Sequence, residues 1–184
     1  MAAAEAGGLR IVELARWDPH LPQLDYSYTT TGYYDVVSTS GAQGWRIELA
    51  LKSFDGPVEK AFSQRMFEAH VEEPRAFAAV LGEEQVGWVE VGYERWNNRA
   101  RIWQLLVREG FRRRGVGSLL MARAVEVARE KGARMLALET QSCNVPAISF
   151  YLKQGFVLIG LDSAAYSNSD VERREVRLEL GLAL

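Results

Sequence analysis

FRRRGVGSLL, residues 111–120, sets three arginines in front of two closely spaced glycines and an apolar run. Val116, Leu119, Leu120, Ala124, Val127 and Ala128 recur at the spacing of one helix face, and Lys131-Gly132 adds a cation and a C-terminal glycine. The pattern predicts a helix entered through a glycine turn. Upstream, Ala100 to Val107 reads as a strand, so the turn leads from strand to helix. Such a turn aims several backbone N–H groups and the positive end of the helix dipole at one spot, which suits a phosphate. The arginines add charge and forked donors. Two familiar phosphate loops fail here: Val116-Gly117 stands where a Walker loop needs Lys-Ser/Thr, and Leu120 stands at the third glycine of a dinucleotide fingerprint.

The rest of the chain sets limits on that loop's partner. Of 184 residues, 48% are apolar and 25% charged, which is the make-up of a globular chain, and the formal net charge is -2. A broad basic face for nucleic acid or anionic membrane is therefore not expected, and any basic site is local. No stretch reaches the ~20 apolar residues of a bilayer span, and the start does not read as a secretory signal. One cysteine, Cys143, rules out an internal disulfide and agrees with a cytoplasmic setting. With only His20 and His70 there is no zinc-ligand spacing, so no metal is expected. The reading is one domain over residues 1–184, with residues 1–8 loose.

Leu9 to Ala15 reads as a strand, Trp17 to Thr31 as irregular because of Pro19 and Pro22, and Gly32 to Ser38 with Trp45 to Phe54 as a hairpin. Pro57 to His70 reads as a helix. Ala76 to Leu81 and Gln85 to Tyr93 read as strands, followed by a turn at Trp96-Asn97-Asn98. Met135 to Glu139 is a short buried strand. Asn144 can cap a helix with Pro146 in its first turn and Gly155 at its end. Phe156 to Gly160 and Val176 to Leu182 give two last strands. Trp88, Trp96 and Trp103 read as core or sheet packing. The elements sum to a mixed α/β domain.

NVPAISFYLKQGF, residues 144–156, follows the first motif by one strand and one helix. Arg112-x-x-Gly115-x-Gly117 and Asn144-x-x-Ala147-x-x-Phe150-Tyr151-x-x-x-Gly155-Phe156 together resemble the GNAT superfamily of N-acetyltransferases. The layout is most similar to the streptothricin acetyltransferases, through Trp96-Asn97, the strand end Leu138 to Gln141, and Asp162-x-x-x-Tyr166-x-Asn168. That group carries two acids where this chain has Trp103-Gln104.

The resemblance implies an α/β fold with a mainly antiparallel central sheet flanked by helices, in which the strand at 100–107 splays from the strand at 135–139. It implies acetyl-CoA as acyl donor and direct transfer of the acetyl group to a primary amine. The pantetheine arm would run along the backbone of Leu105, Leu106 and Val107. The diphosphate would lie on Arg112, Arg113, Arg114, Gly115, Val116, Gly117 and Ser118, and Asn144 would both cap its helix and bond the pantetheine. Tyr151 would protonate the leaving thiolate, the alternative being a core aromatic beside Phe150 and Phe156. Glu139, ahead of Glu90, would take the amine's proton, and an N–H near Val107 would meet the oxyanion. Trp103, Gln104 and Tyr166 would line the acceptor side. A small antibiotic-like amine is the first acceptor, with a protein or peptide amine or a non-catalytic acyl-CoA sensor as alternatives. The hairpin before residue 55 would roof the acceptor or join two copies as a homodimer. Cys143 has no histidine near it in sequence and reads as a buried thiol.

Overall fold

A computed structural model describes residues 8–184. The expected loose start at residues 1–8 lies, except for Gly8, outside the described residues. In chain order the elements are β1 (Leu9–Leu14), β2 (Leu24–Gly41), β3 (Gly44–Gln64), β4 (Arg75–Leu81), β5 (Glu84–Glu94), β6 (Arg99–Val107), α1 (Val116–Glu130), β7 (Met135–Gln141), α2 (Val145–Lys153), β8 (Val157–Asp162) and β9 (Arg177–Ala183). The chain divides into two compact units. Among the described residues one holds 8–26, Ser63–Leu138 and Ala183–Leu184, and the other Ser27–Phe62 and Glu139–Leu182.

In the first unit β1, β4, β5 and β6 pair antiparallel in that order. Their runs of Ala, Val and Leu are buried on both faces, as in Arg75–Leu81 and Glu84–Glu94. One face packs Leu24, Met66, Ala76, Ala78, Trp88 and Leu106 into a common core. Helix α1 buries Val116, Leu120, Met121, Ala124, Val127 and Ala128, the stripe that its sequence spacing predicts. β7 joins β6 in parallel, but the ladder runs only from Arg99↔Met135 to Ile102↔Leu138. β6 continues to Val107, so its last five residues have no β7 partner on that edge.

In the second unit β9 lies between β7 and β8, antiparallel to β8. β2 and β3 form a separate two-stranded ribbon. Tyr34, Val36 and Leu49 of the ribbon pack with Ile148 of α2, Leu161 of β8 and Leu178 of β9. The expected mixed, mainly antiparallel architecture with flanking helices is the one observed.

Three local expectations are corrected. The helix expected at Pro57 to His70 is instead the end of β3 and a turn-rich segment. Val58, Ala61 and Phe62 mimic helical spacing, yet Phe54, Val58 and Lys60 are the half-buried ones, a period of two. Pro57 is tolerated because a two-stranded ribbon leaves each strand an open edge, where no ladder donor is missed. Residues 24–31 are not irregular: Leu24, Tyr26, Tyr28 and Thr30 alternate inward along β2. Pro19 and Pro22 had hidden that alternation. The hairpin therefore reaches Gln64 rather than Phe54. Finally, Trp96 is not packed but 82% exposed.

Candidate active site

The loop at the start of α1 is built by chain geometry. A single 3-10 turn at Glu109–Phe111 follows β6, and Arg113 (φ 61°) and Gly115 (φ 84°) take left-handed backbone. Glycine suits the second because a Cβ there carries a conformational cost. Gly115 caps α1 without any side-chain bond, and the first helical bond is Leu119 N–H to the Gly115 carbonyl. The N–H groups of Arg113 to Gly117 donate to no described residue. These are open donors at a helix start, the arrangement that receives an anion. Arg112, Arg113 and Arg114 are exposed. Arg112 Nε donates to the Val107 carbonyl (3.2 Å), tying the loop to the end of β6, and Arg114 lies over the Phe111 ring (5.6 Å). Leu105 and Val107 are half-buried and Leu106 buried, on the stretch of β6 that β7 does not pair. These donors and this open edge fit a diphosphate and an extended amide-bearing arm.

On the opposite face from α1, Glu90 is fully buried in β5. Its Oε1 accepts the Phe67 N–H (2.6 Å), while Oε2 is buried without a partner. Burial raises its pKa to about 7; the Phe67 bond and Arg16 pull it down, and Glu68 adds to the rise. Across the ladder Glu90 faces Gln104, and the register then shifts so that Val91 faces Ile102. Trp103 is the extra residue of this bulge. Its indole lies against His70 (ring centroids 4.8 Å) and over Gly92, where a Cβ would sit 2.7 Å from Trp103 Nε1 and 2.8 Å from Val71 Cγ1. Only glycine admits that ring position. The bulge thus turns Trp103 and Gln104 toward the side where Glu90 and the Phe67–His70 segment meet. Gln104 is buried, accepting the Tyr26 hydroxyl (2.8 Å) and reaching the Arg65 carbonyl (3.4 Å).

The remaining expected site residues fall in the second unit. Asn144 caps α2, its Oδ1 accepting the Ala147 N–H (3.3 Å), with Pro146 in the first turn. The capping role leaves its amide NH₂ as the donor group. Tyr151 is buried on α2 between Phe150 and Phe156 (centroids 5.5 and 6.0 Å), and burial pushes its hydroxyl up to about 12. It is therefore a neutral proton donor at physiological pH. Glu139 is 39% exposed and faces Arg177 (3.5 Å), which also approaches Glu179 and Asp162. Tyr166 is exposed, and burial of its hydroxyl end, with Glu139 as the next cause, raises its pKa. Cys143 is buried, 3.4 Å from the Tyr28 hydroxyl, which also donates to Gln141 (2.9 Å). Burial raises the thiol's pKa, opposite to what a nucleophile needs. Sequence reasoning ranked Glu90 second and missed Tyr26 and Phe67, since their relation to Glu90 and Gln104 exists only after folding. Among the described residues no cluster of three or more His, Cys, Asp or Glu could hold a metal, and no helix is long and apolar enough to cross a membrane.

An open-amide helix start beside an unpaired strand edge is an arrangement that can receive an anion and an extended chain. Residues 45–156 match the acetyltransferase (GNAT) family, and the chain belongs to it. It is 35% identical to the streptothricin acetyltransferase of Streptomyces lavendulae over 81% of each chain. Its structure resembles nourseothricin acetyltransferase (TM-score 0.75, 31% identity, 96% of this chain and 98% of that one). It also resembles a candidate streptothricin acetyltransferase from Bacillus anthracis solved with acetyl coenzyme A (TM-score 0.76, 28% identity, 97% and 99%). The protein is thus an acetyl-CoA-dependent N-acetyltransferase, which removes the non-catalytic sensor from the alternatives.

Proposed function

We propose that the acceptor is a small antibiotic-like amine of the streptothricin kind and that Glu90 receives its proton. Support for the acceptor comes from similarity along nearly the whole chain to proteins named for streptothricin and nourseothricin. The observation that carries the chemistry is the buried carboxyl of Glu90, with one oxygen unpartnered and a pKa near 7. The acids that the resemblance places at Trp103-Gln104 are absent, but Glu90 stands directly across from Gln104, so that part of the sheet keeps a carboxylate.

Acetyl-CoA supplies an activated acetyl thioester. The open N–H groups of Arg113 to Gly117 and the side chains of Arg112 to Arg114 hold its phosphates, with Ser118 at the same helix start. Leu105, Leu106 and Val107 offer main-chain donors and acceptors to its arm. An N–H near Val107 stabilises charge developing on the acetyl oxygen. An ammonium acceptor with a pKa near ~10.4 must lose a proton before it attacks, and a carboxyl poised near neutral pH suits that task. Tyr151 holds the proton that the departing thiolate needs. Glu139 faces Arg177 (3.5 Å), so it is ranked behind Glu90 for the proton transfer. A cytoplasmic setting accords with the reduced, buried Cys143.

The reading is tested by thiol release from acetyl-CoA with streptothricin, nourseothricin and N-terminal peptide amines. Turnover of the antibiotics at least tenfold above the peptides is expected. Turnover of peptide amines alone would replace the acceptor reading.

A further inference from the structure

Between β3 and β4 the chain forms no helix or strand, yet residues 65–72 are tied down along their length. The Arg65 carbonyl accepts the Gln104 amide (3.4 Å), Met66 is buried in the core, and the Phe67 N–H donates to Glu90 (2.6 Å). The Glu68 carbonyl accepts the Val71 N–H (3.0 Å), Val71 is buried, and the Glu72 carbonyl accepts the Tyr93 N–H (2.8 Å). Phe67 takes left-handed backbone (φ 60°), which a phenylalanine keeps only where its surroundings fix it. One side chain of this segment takes no part in holding it. Glu68 is exposed, and its carboxylate has neither a hydrogen bond nor an ion pair among the described residues. Glu13, Glu73, Glu94 and Glu130 of the same unit are each bound by an arginine or lysine.

Glu68 directly follows the residue whose N–H holds Glu90, so an open carboxylate stands beside a fully buried carboxyl whose Oε2 has no partner. The strands on either side of Glu90 oppose it with Ala76 and Gln104, which do not titrate, and the one cation acting on it is Arg16. Two carboxyl groups against one guanidinium repel an anion and favour a cation. We propose that Glu68 binds the ammonium group of the acceptor and so selects cationic amines. Its contact is a charge-assisted N–H to carboxylate bond made at the surface. The proton then passes from the ammonium nitrogen to Glu90 Oε2, leaving a neutral amine and a neutral carboxyl. Burial gives the two glutamates their two roles. The contact with Glu68 is strongest while the acceptor is still protonated, so it serves binding and not the acetyl transfer. This inference rests on the reading of Glu90 as the proton acceptor, and not on the particular amine.

Calorimetric titration with nourseothricin and with an N-terminal peptide amine, in the presence of CoA so that no acetyl group is transferred, tests it. Glu68→Gln should bind the tighter of the two amines at least tenfold more weakly, with CoA binding and melting temperature unchanged. Glu68→Asp should recover most of that loss, while Glu72→Gln, an exposed carboxylate on the same segment, should behave as the unmodified protein. In steady-state rates Glu68→Gln should raise KM for the amine and leave kcat within about threefold. Its acid limb should also move to lower pH, because a like charge beside Glu90 has been removed. Equal amine affinity in Glu68→Gln and the unmodified protein, no binding of either amine, or a loss confined to kcat would each overturn the proposal. An unchanged pH profile in Glu90→Gln would instead remove the reading of Glu90 itself, so the two failures are told apart.

Discussion

Glu90 and Glu139 are the same side chain in two different settings. Glu90 lies inside the sheet, with one oxygen on the Phe67 amide, the other unpartnered, and no guanidinium bound to it. Glu139 is partly exposed, with Arg177 beside it. Burial favours the protonated form of Glu90 and brings its pKa to about 7, although the Phe67 bond and Arg16 oppose the rise. The first setting suits the proton acceptor proposed above, and the second holds its carboxylate beside a guanidinium. Position on a strand end told less about role than surroundings did.

That contrast can be broken most sharply at Glu90. Glu90→Gln keeps the Phe67 bond but cannot take a proton, so kcat should fall by roughly 10²–10⁴-fold, with loss of the acid limb centred near pH 7. Steady-state rates from pH 5.5 to 9 would show it, and an unchanged profile would remove Glu90 from the chemistry. Tyr151→Phe should lower kcat by about 10²-fold at unchanged melting temperature, because only the hydroxyl is lost. If Tyr151 is a packing aromatic alone, kcat will not move.

The same burial predicts a stability effect. The Glu90 carboxyl has a pKa of 4.5 as a free group and about 7 in the fold, so the native state binds its proton more tightly than the unfolded chain. This contribution is greatest below pH ~4.5 and declines as pH rises through 7, by up to about 3 kcal/mol at ~1.36 kcal/mol per pKa unit. Chemical denaturation from pH 5 to 8 should show that decline in the unmodified protein and a flatter curve for Glu90→Gln. Gly115→Ala should raise KM for acetyl-CoA several-fold, since a left-handed Cβ costs about 1 kcal/mol and shifts the open amides. No atom stands within 4 Å of that Cβ, so the effect measures backbone conformation alone. Glu139→Gln should have the smallest effect, less than about threefold on kcat, with any change in KM for the amine; a large loss of kcat would restore Glu139 as the base.

Most of residues 75–160 was legible before the structure. α1, α2, β4 to β7 and the cap at Asn144 follow from periodicity and capping residues that act within a few positions of each other. The ribbon was not. Pro57 and the spacing of Val58, Ala61 and Phe62 suggest a helix to any local reading, and the pairing of β3 with β2 overrides it. At the candidate site, the glycine turn before α1 and the place of Tyr151 on α2 could be read from motifs, and Gly115 from its place before a helix. Gly92 carried no such signal, because its need comes from Trp103, eleven residues away in sequence and across the ladder.

The sequence by itself determined which segment presents open amides to an anion, since the glycine turn and helix start that produce them are made by neighbouring residues. Only tertiary structure decided which glutamate is buried with a raised pKa. The pKa of a carboxyl depends on the water, charges and donors within a few ångströms, and for Glu90 those come from Phe67, Glu68 and Arg16, brought to β5 by the fold.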